Sequence, residues 1–271
     1  MNGSDSLLDW FRAFRSCVVA FSGGLDSSVV AKAAALVLGD DAEAVLAYSA
    51  SSLRHEVDEA RTVAEAIPIR FQAFASSEMD DEAYVANDRD RCYYCKKIRF
   101  GDINRYAAGR LVVDGSNADD LNVYRPGRRA VSEFGIRSPL AELGLTKAKV
   151  REIARFWNLP NSEKPATPCL STRLAYGLRI TDERLRRVET AEEFLRNRGF
   201  SPLRVRLHAD DLVRIEVIPE QIARLTEYRL MIVEEFQRLG FPFVSVDLLG
   251  FRSGSFDEET TVSAVRRVLL R

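Results

Sequence analysis

The sequence predicts an α/β protein: a doubly wound parallel sheet, followed by a smaller C-terminal α/β unit. Three observations carry this reading. Short apolar runs alternate with helix-periodic stretches as far as Trp157. The first of these runs enters a glycine-serine turn, Ser22-Gly23-Gly24-Leu25-Asp26-Ser27-Ser28, with a helical pattern behind it. A stretch rich in Pro, Ser and Thr, Asn158 to Tyr176, then separates this series from a differently patterned remainder. The expected domains are residues 1–176 and 177–271.

Taken in order, residues 4–15 read as an amphipathic helix, and Cys17-Val18-Val19-Ala20-Phe21 as the first strand. A helix from Asp26 to Leu38, a strand over Ala44–Tyr48, a helix from Glu56 to Ile67 and a strand from Ile69 to Phe74 follow. A helix running to about Ala107 starts near Arg91, Leu111–Asp114 is the fourth strand, and Lys147–Trp157 closes the series. Such alternation implies parallel strands covered on both faces, with ligands at their carboxyl ends. Beyond Tyr176 the pattern gives a helix (Thr181–Arg198), a strand pair (Leu203–Leu207, Leu212–Val217), one helix (Pro219–Leu239) and a strand (Phe243–Leu248).

Composition is that of an ordinary globular protein, with 46% hydrophobic and 29% charged residues among 271 and a net charge of -1. Near-neutral charge gives no global reason to expect a nucleic acid partner. No apolar run approaches the roughly 20 residues that cross a bilayer, and no basic-then-apolar leader is evident, so the expected location is cytoplasmic without a membrane partner. In a reducing compartment, four cysteines suggest metal or thiol chemistry before disulfides.

The glycines of the turn allow several N–H groups and the positive end of the next helix to converge on an anion, with Ser22, Ser27 and Ser28 as hydroxyl donors. No Lys-Ser or Lys-Thr follows, so the lysine-bearing P-loop matches poorly, and Gly-x-Gly-x-x-Gly is absent. Ser22-Gly23-Gly24-Leu25-Asp26-Ser27 resembles instead the pyrophosphate loop of the ATP pyrophosphatases, which split ATP into AMP and pyrophosphate to activate a carbonyl oxygen as an adenylate. A plain helix-capping turn with Asp26 against the helix dipole is the simpler account.

A second constellation is Arg91-Cys92-Tyr93-Tyr94-Cys95-Lys96-Lys97, two thiols at chelating spacing where a helix start and cations favour thiolates. Cys169 lies in the proline-stiffened loop. Zinc would need a fourth ligand, and His55 and His208 are better read as solvated or capping residues. A thioredoxin-type pair needs another fold, and unligated cysteines remain open, with Cys17 read as a buried small hydrophobe. An iron-sulfur cluster on Cys92, Cys95 and Cys169 with one open iron is the fourth reading.

Ser22–Ser27, Asp114-Gly115-Ser116-Asn117-Ala118-Asp119-Asp120, Arg125-Pro126-Gly127, Ser138-Pro139-Leu140, Lys164-Pro165-Ala166-Thr167-Pro168-Cys169-Leu170, Arg204-Val205-Arg206 and Gly250-Phe251-Arg252-Ser253-Gly254 together resemble the LarE family over nearly the whole chain. The resemblance implies a PP-loop fold and ATP-dependent sulfur insertion into pyridinium-3,5-biscarboxylic acid mononucleotide, in the biosynthesis of the nickel-pincer cofactor of lactate racemase. Cys169 matches the family's sulfur-bearing cysteine. With Cys92 and Cys95 present, the sequence looks like the three-cysteine members, for which a [4Fe-4S] cluster and a cluster-bound sulfide donor are implied. ATP phosphates are then expected on Ser22–Ser28 with Mg²⁺ at Asp26, and AMP near Ser49 and Gly115. Arg204 and Arg206, two apart on a strand, suit a substrate phosphate or carboxylate. Glu133 and Glu192 are candidate acidic site residues, although a helical glutamate is normally at the surface. Arg173 is expected to stabilise a thiolate or pair with an acid, and Asp119 and Asp120 to cap or to join the nucleotide edge. A homo-oligomer is also implied. A tRNA thiolase, a zinc-holding amide ligase and a non-catalytic nucleotide-binding module are the competing functions.

Overall fold

The structure is a computed structural model that describes residues 3–122, 126–165, 167–252 and 255–256. Arg125, Ala166, Ser253 and Gly254 of the motifs above, and the end of the expected second domain, lie outside the described residues. The chain divides into two units, Met1–Val85 with Arg89–Cys169, and Ala86–Asp88 with Leu170–Arg271.

In the first unit the elements are α1 (Gly3–Arg12), β1 (Cys17–Ala20), α2 (Leu25–Leu38), β2 (Ala42–Tyr48), α3 (Glu56–Ala66), β3 (Arg70–Ala75), α4 (Glu82–Val85) and α5 (Arg91–Ala107), then β4 (Leu111–Val113), α6 (Gly127–Glu133), α7 (Pro139–Glu142) and α8 (Lys147–Phe156). The four strands pair in parallel in the order β3-β2-β1-β4. Successive side chains alternate between faces: Cys17 and Val19 join a core with Leu7, Phe11, Val29 and Ile153, whereas Val18 packs with Val45, Phe100, Ile103 and Val112. Burial on both faces is why these strands read as unbroken apolar runs. Since β2 lies on one side of β1 and β4 on the other, the topology switches at β1, and the glycine-serine turn leaves its carboxyl end.

The second unit contains α9 (Asp182–Arg196), β5 (Leu203–Leu207), β6 (Leu212–Val217), α10 (Pro219–Glu227), α11 (Arg229–Arg238) and β7 (Phe243–Val246). Its sheet runs β5-β6-β7, antiparallel then parallel. One correction is needed, because the single helix expected from Pro219 to Leu239 is two. At Tyr228 the backbone leaves helical geometry (φ -89, ψ 6), and the ring packs edge-on against Phe200 with centroids 5.8 Å apart. The short helices α4, α6 and α7 were not legible from periodicity. No helix among the described residues is long and apolar enough to cross a membrane.

Candidate active site

The turn after β1 is built by glycine and held by its own serines. Gly23 adopts φ +67, and a Cβ there would stand 2.8 Å from the Ala60 Cα, so only glycine fits. Gly24 occupies the N-cap position of α2. Ser27 and Ser28, expected to offer hydroxyls to phosphate, are buried and turned inward: they donate to the Gly24 carbonyl at 3.1 and 2.8 Å. The Gly24 N–H reaches the Ser22 hydroxyl at 3.3 Å. Ser22, Gly23, Gly24 and Asp26 line a cavity completed by Glu56, Lys147, Lys164, Pro165 and Thr167. Asp26 pairs with the Lys147 ammonium and accepts from the Asn117 amide at 3.3 Å. Lys164 pairs with Glu59 at 2.5 Å.

Gly115, just past β4, supports the same loop from below. A Cβ there would lie 2.7 Å from the Ser27 nitrogen and 3.1 Å from the Asp26 carbonyl carbon, so this glycine lets β4 and the first turn of α2 meet. Asp119 accepts the Lys147 N–H at 2.8 Å and Asp120 the Asn117 N–H at 3.1 Å, so both hold backbone N–H groups beside the turn.

Ser49, at the end of β2, donates to the Glu78 carboxylate at 2.6 Å. Glu78 is fully buried, and Arg99 reaches it through Nε at 2.9 Å while its Nη2 donates to Ser51 at 3.1 Å and Ser49 at 3.3 Å. Burial pushes the Glu78 carboxyl up, but Arg99 and the Ser49 hydroxyl outweigh it and leave the group below its ordinary value. Arg99 stands one helical turn beyond Cys95 on α5.

Cys92 and Cys95 occupy the start of α5, as expected, and no disulfide involves them. Their protonation is a correction. Burial pushes Cys95 up to about 12, Arg99 draws it down, and Glu78, Cys169 and Cys92 raise it further. Cys92 is at the surface, yet surrounding protein and then Cys169 raise it against Arg91 and Lys96. Desolvation therefore outweighs the helix start and the cations in the metal-free protein. Cys92 and Cys95 thus each respond to Cys169, although among the described residues no three His, Cys, Asp or Glu side chains close on a single ion. Cys17 is buried in the sheet core with its thiol pushed up to about 12. Glu133, on α6, accepts from the Tyr93 hydroxyl at 2.9 Å beside this pair.

Within the second unit, Glu192 is not a surface residue: it is fully buried and receives Arg173 Nε at 3.0 Å, itself only 1% exposed. Arg206 is also buried, donating to Glu216 at 3.0 Å and to the Thr172 carbonyl at 2.8 Å, so the pair Arg204 and Arg206 does not act as two equal cations. Among the described residues Arg204 has no carboxylate in ion-pair contact; its guanidinium lies 5.2 Å from the Phe251 ring centroid. Burial lowers Arg204 to about 10, and Arg173 adds to the effect, so an anion would be welcome there.

Sequence reasoning missed Lys147, Asn117, Glu78, Arg99 and Asn161. Lys147, in Leu145-Thr146-Lys147, begins a helix capped by the Thr146 hydroxyl, which accepts the Lys149 N–H. That cap was the only local signal, and it marks a helix start without indicating a contact with Asp26 or the cavity beside it.

A family model described as NAD synthase matches residues 11–104. A pyridinium-3,5-bisthiocarboxylic acid mononucleotide synthase of Lactiplantibacillus plantarum is 38% identical over 247 residues, which cover 90% of this chain and 89% of that protein. An uncharacterised protein of Synechocystis sp. is 41% identical over 95% of this chain and 97% of its own length. Another, from Methanocaldococcus jannaschii, is 30% identical over 88% and 92%. With the serine-glycine turn at the switch point of a parallel sheet and a relative of this identity over nine-tenths of its length, the chain belongs to the LarE family, on a PP-loop domain of the ATP pyrophosphatase type.

Proposed function

We propose that the protein is an ATP-dependent sulfurtransferase that adenylates a carboxylate of pyridinium-3,5-biscarboxylic acid mononucleotide and converts it to a thiocarboxylate, in nickel-pincer cofactor biosynthesis and lactate racemase maturation. One observation carries the reading. The segment 164–169 gives Lys164, Pro165 and Thr167 to the wall of the cavity at the glycine turn, and also carries Cys169, to which both Cys92 and Cys95 respond.

The turn would seat the phosphates of ATP, and AMP would rest at the strand ends by Ser49 and Gly115. Asp26 would hold Mg²⁺, which screens phosphate charge and competes with Lys147 for that carboxylate. A substrate carboxylate oxygen attacks the α-phosphorus, and the bond to pyrophosphate breaks. A sulfur nucleophile then adds to the acyl carbon, and AMP leaves with the electron pair of the broken C–O bond. Arg204 supplies charge for an anionic group of the substrate, and Arg206 holds the strand that presents it. Glu133 fixes Tyr93 between the two cysteines of α5.

The donor set suits a [4Fe-4S] cluster on Cys92, Cys95 and Cys169: three soft thiols, of which Cys92 and Cys95 respond to Cys169, with Arg91, Lys96 and Arg99 acting on the same pair. When bound, it would supply an iron site for an extra sulfide. The second unit serves substrate binding and assembly of a homo-oligomer.

Anaerobic reconstitution of wild type and Cys169→Ala, with visible absorption, pyrophosphate and thiocarboxylate mass followed together, tests the reading. Wild type is expected to colour and form product, and Cys169→Ala to lose both. A variant that keeps absorption and product sinks it.

A further inference from the structure

The Gly23–Gly24 peptide has no Cβ on either side, so little steric resistance opposes its rotation by half a turn. Its direction matters, because in a trans peptide the C=O and the following N–H point opposite ways. With the Gly24 N–H toward the cavity the turn attracts an anion, whereas a flipped peptide aims a carbonyl oxygen at it.

Asn161 lies behind this peptide and does not line the cavity. It is 5% exposed, and its Nδ2 donates to the Gly23 carbonyl at 2.9 Å and to the Ser28 hydroxyl at 2.9 Å. The Gly23 oxygen only accepts, so the amide nitrogen must face it. Ser28 passes its own proton on to the Gly24 carbonyl at 2.8 Å. Both carbonyls of the turn are thereby held away from the cavity, and the Asn161 Oδ1 is left buried without a partner, so its amide is spent on the turn and not on wider packing.

We infer that Asn161 is a positioning residue of the phosphate seat: a latch that fixes the Gly23–Gly24 peptide with its N–H on the side of the cavity-lining Ser22, whose hydroxyl accepts it at 3.3 Å and from which an anion would take over that hydrogen bond. This rests on the reading of the turn as a phosphate seat. Pyrophosphate affinity in the presence of Mg²⁺, measured by calorimetry on the full chain for wild type, Asn161→Ala and Asn161→Asp between about pH 5 and pH 8, separates the two. Asn161→Ala is expected to bind roughly ten- to a hundred-fold more weakly, the effect of one hydrogen bond to a charged group. Asn161→Asp is expected to be weaker still at pH 8, where a carboxylate faces the Gly23 oxygen. Its deficit relative to wild type should shrink toward pH 5, where the protonated carboxyl can donate. A purely structural role would not produce that pH-dependent ratio. If wild type binds and Asn161→Ala matches it, or if the Asn161→Asp deficit does not change with pH, the latch is refuted and the seat stands. If wild type binds no pyrophosphate, the seat itself is refuted.

Discussion

Replacing Glu192 with alanine tests whether this glutamate is structural or catalytic. Glu192 accepts Arg173 Nε at 3.0 Å and Nη2 at 3.2 Å, Arg196 at 3.3 Å and the Val205 backbone N–H at 3.1 Å. Truncation strips that carboxylate from a guanidinium 1% exposed and leaves a buried strand N–H without its acceptor. Removing one partner of a buried pair costs about 3–5 kcal/mol. At a few degrees per kcal/mol, the thermal midpoint should fall by roughly 10 °C or more. Circular dichroism melts of Glu192→Ala, and of Glu192→Leu combined with Arg173→Met, measure it. The double variant should recover much of the loss, because an apolar pair leaves no buried charge uncompensated. A Glu192→Ala protein that melts like wild type yet forms no thiocarboxylate would refute this reasoning and make Glu192 the acidic site residue its sequence position suggests.

Gly115→Ala drives a methyl group to 2.7 Å from the Ser27 nitrogen, a backbone atom with little freedom to yield. It should cost about 1–3 kcal/mol in urea unfolding and weaken ATP binding; an unchanged midpoint contradicts the contact. Arg204→Gln removes a cation that burial holds at about 10 and that lacks a carboxylate in contact among the described residues. Calorimetry should show affinity for the anionic substrate falling roughly ten- to a hundred-fold, while the melting temperature stays level or rises; a large loss of stability contradicts this. Because Cys92 and Cys95 are raised, loading iron must expel protons, so uptake should weaken as pH falls, and pH-independent uptake contradicts it. In the metal-free protein the sign is opposite: stability should fall as pH climbs from 9.0 toward about 12, since the unfolded chain loses the Cys95 proton first. Urea titrations across that range would show it.

The parallel sheet and the glycine turn that leaves it were legible because both depend on local sequence. Buried strands are apolar runs, and Gly23 and Gly24 stand where the backbone must turn sharply. The break at Tyr228 was hidden, since an aromatic fits helical periodicity and its contact with Phe200 is visible only in the folded chain. Charged residues were the hardest to place. Glu192 and Arg206 look like surface residues in a string of letters, and their burial follows from partners, Arg173 and Glu216, that no sequence spacing reveals. Thiol protonation failed for a related reason: neighbouring cations can be counted in the sequence, whereas the water excluded from Cys95 cannot. Lys147 lies 121 positions from Asp26, so only the folded chain shows that a lysine from another helix pairs with the turn's aspartate.

The tether that runs from Lys164 to Cys169 is too short for independence. Six residues from 164 to 169 reach about 20 Å at full stretch, and Pro165 and Pro168 each lock one backbone torsion. Inserting or deleting a residue here would therefore shift the Cys169 thiol and reshape the cavity wall at Lys164, Pro165 and Thr167 in a single event. Natural variation in this stretch should show up as exchanged side chains, seldom as altered length.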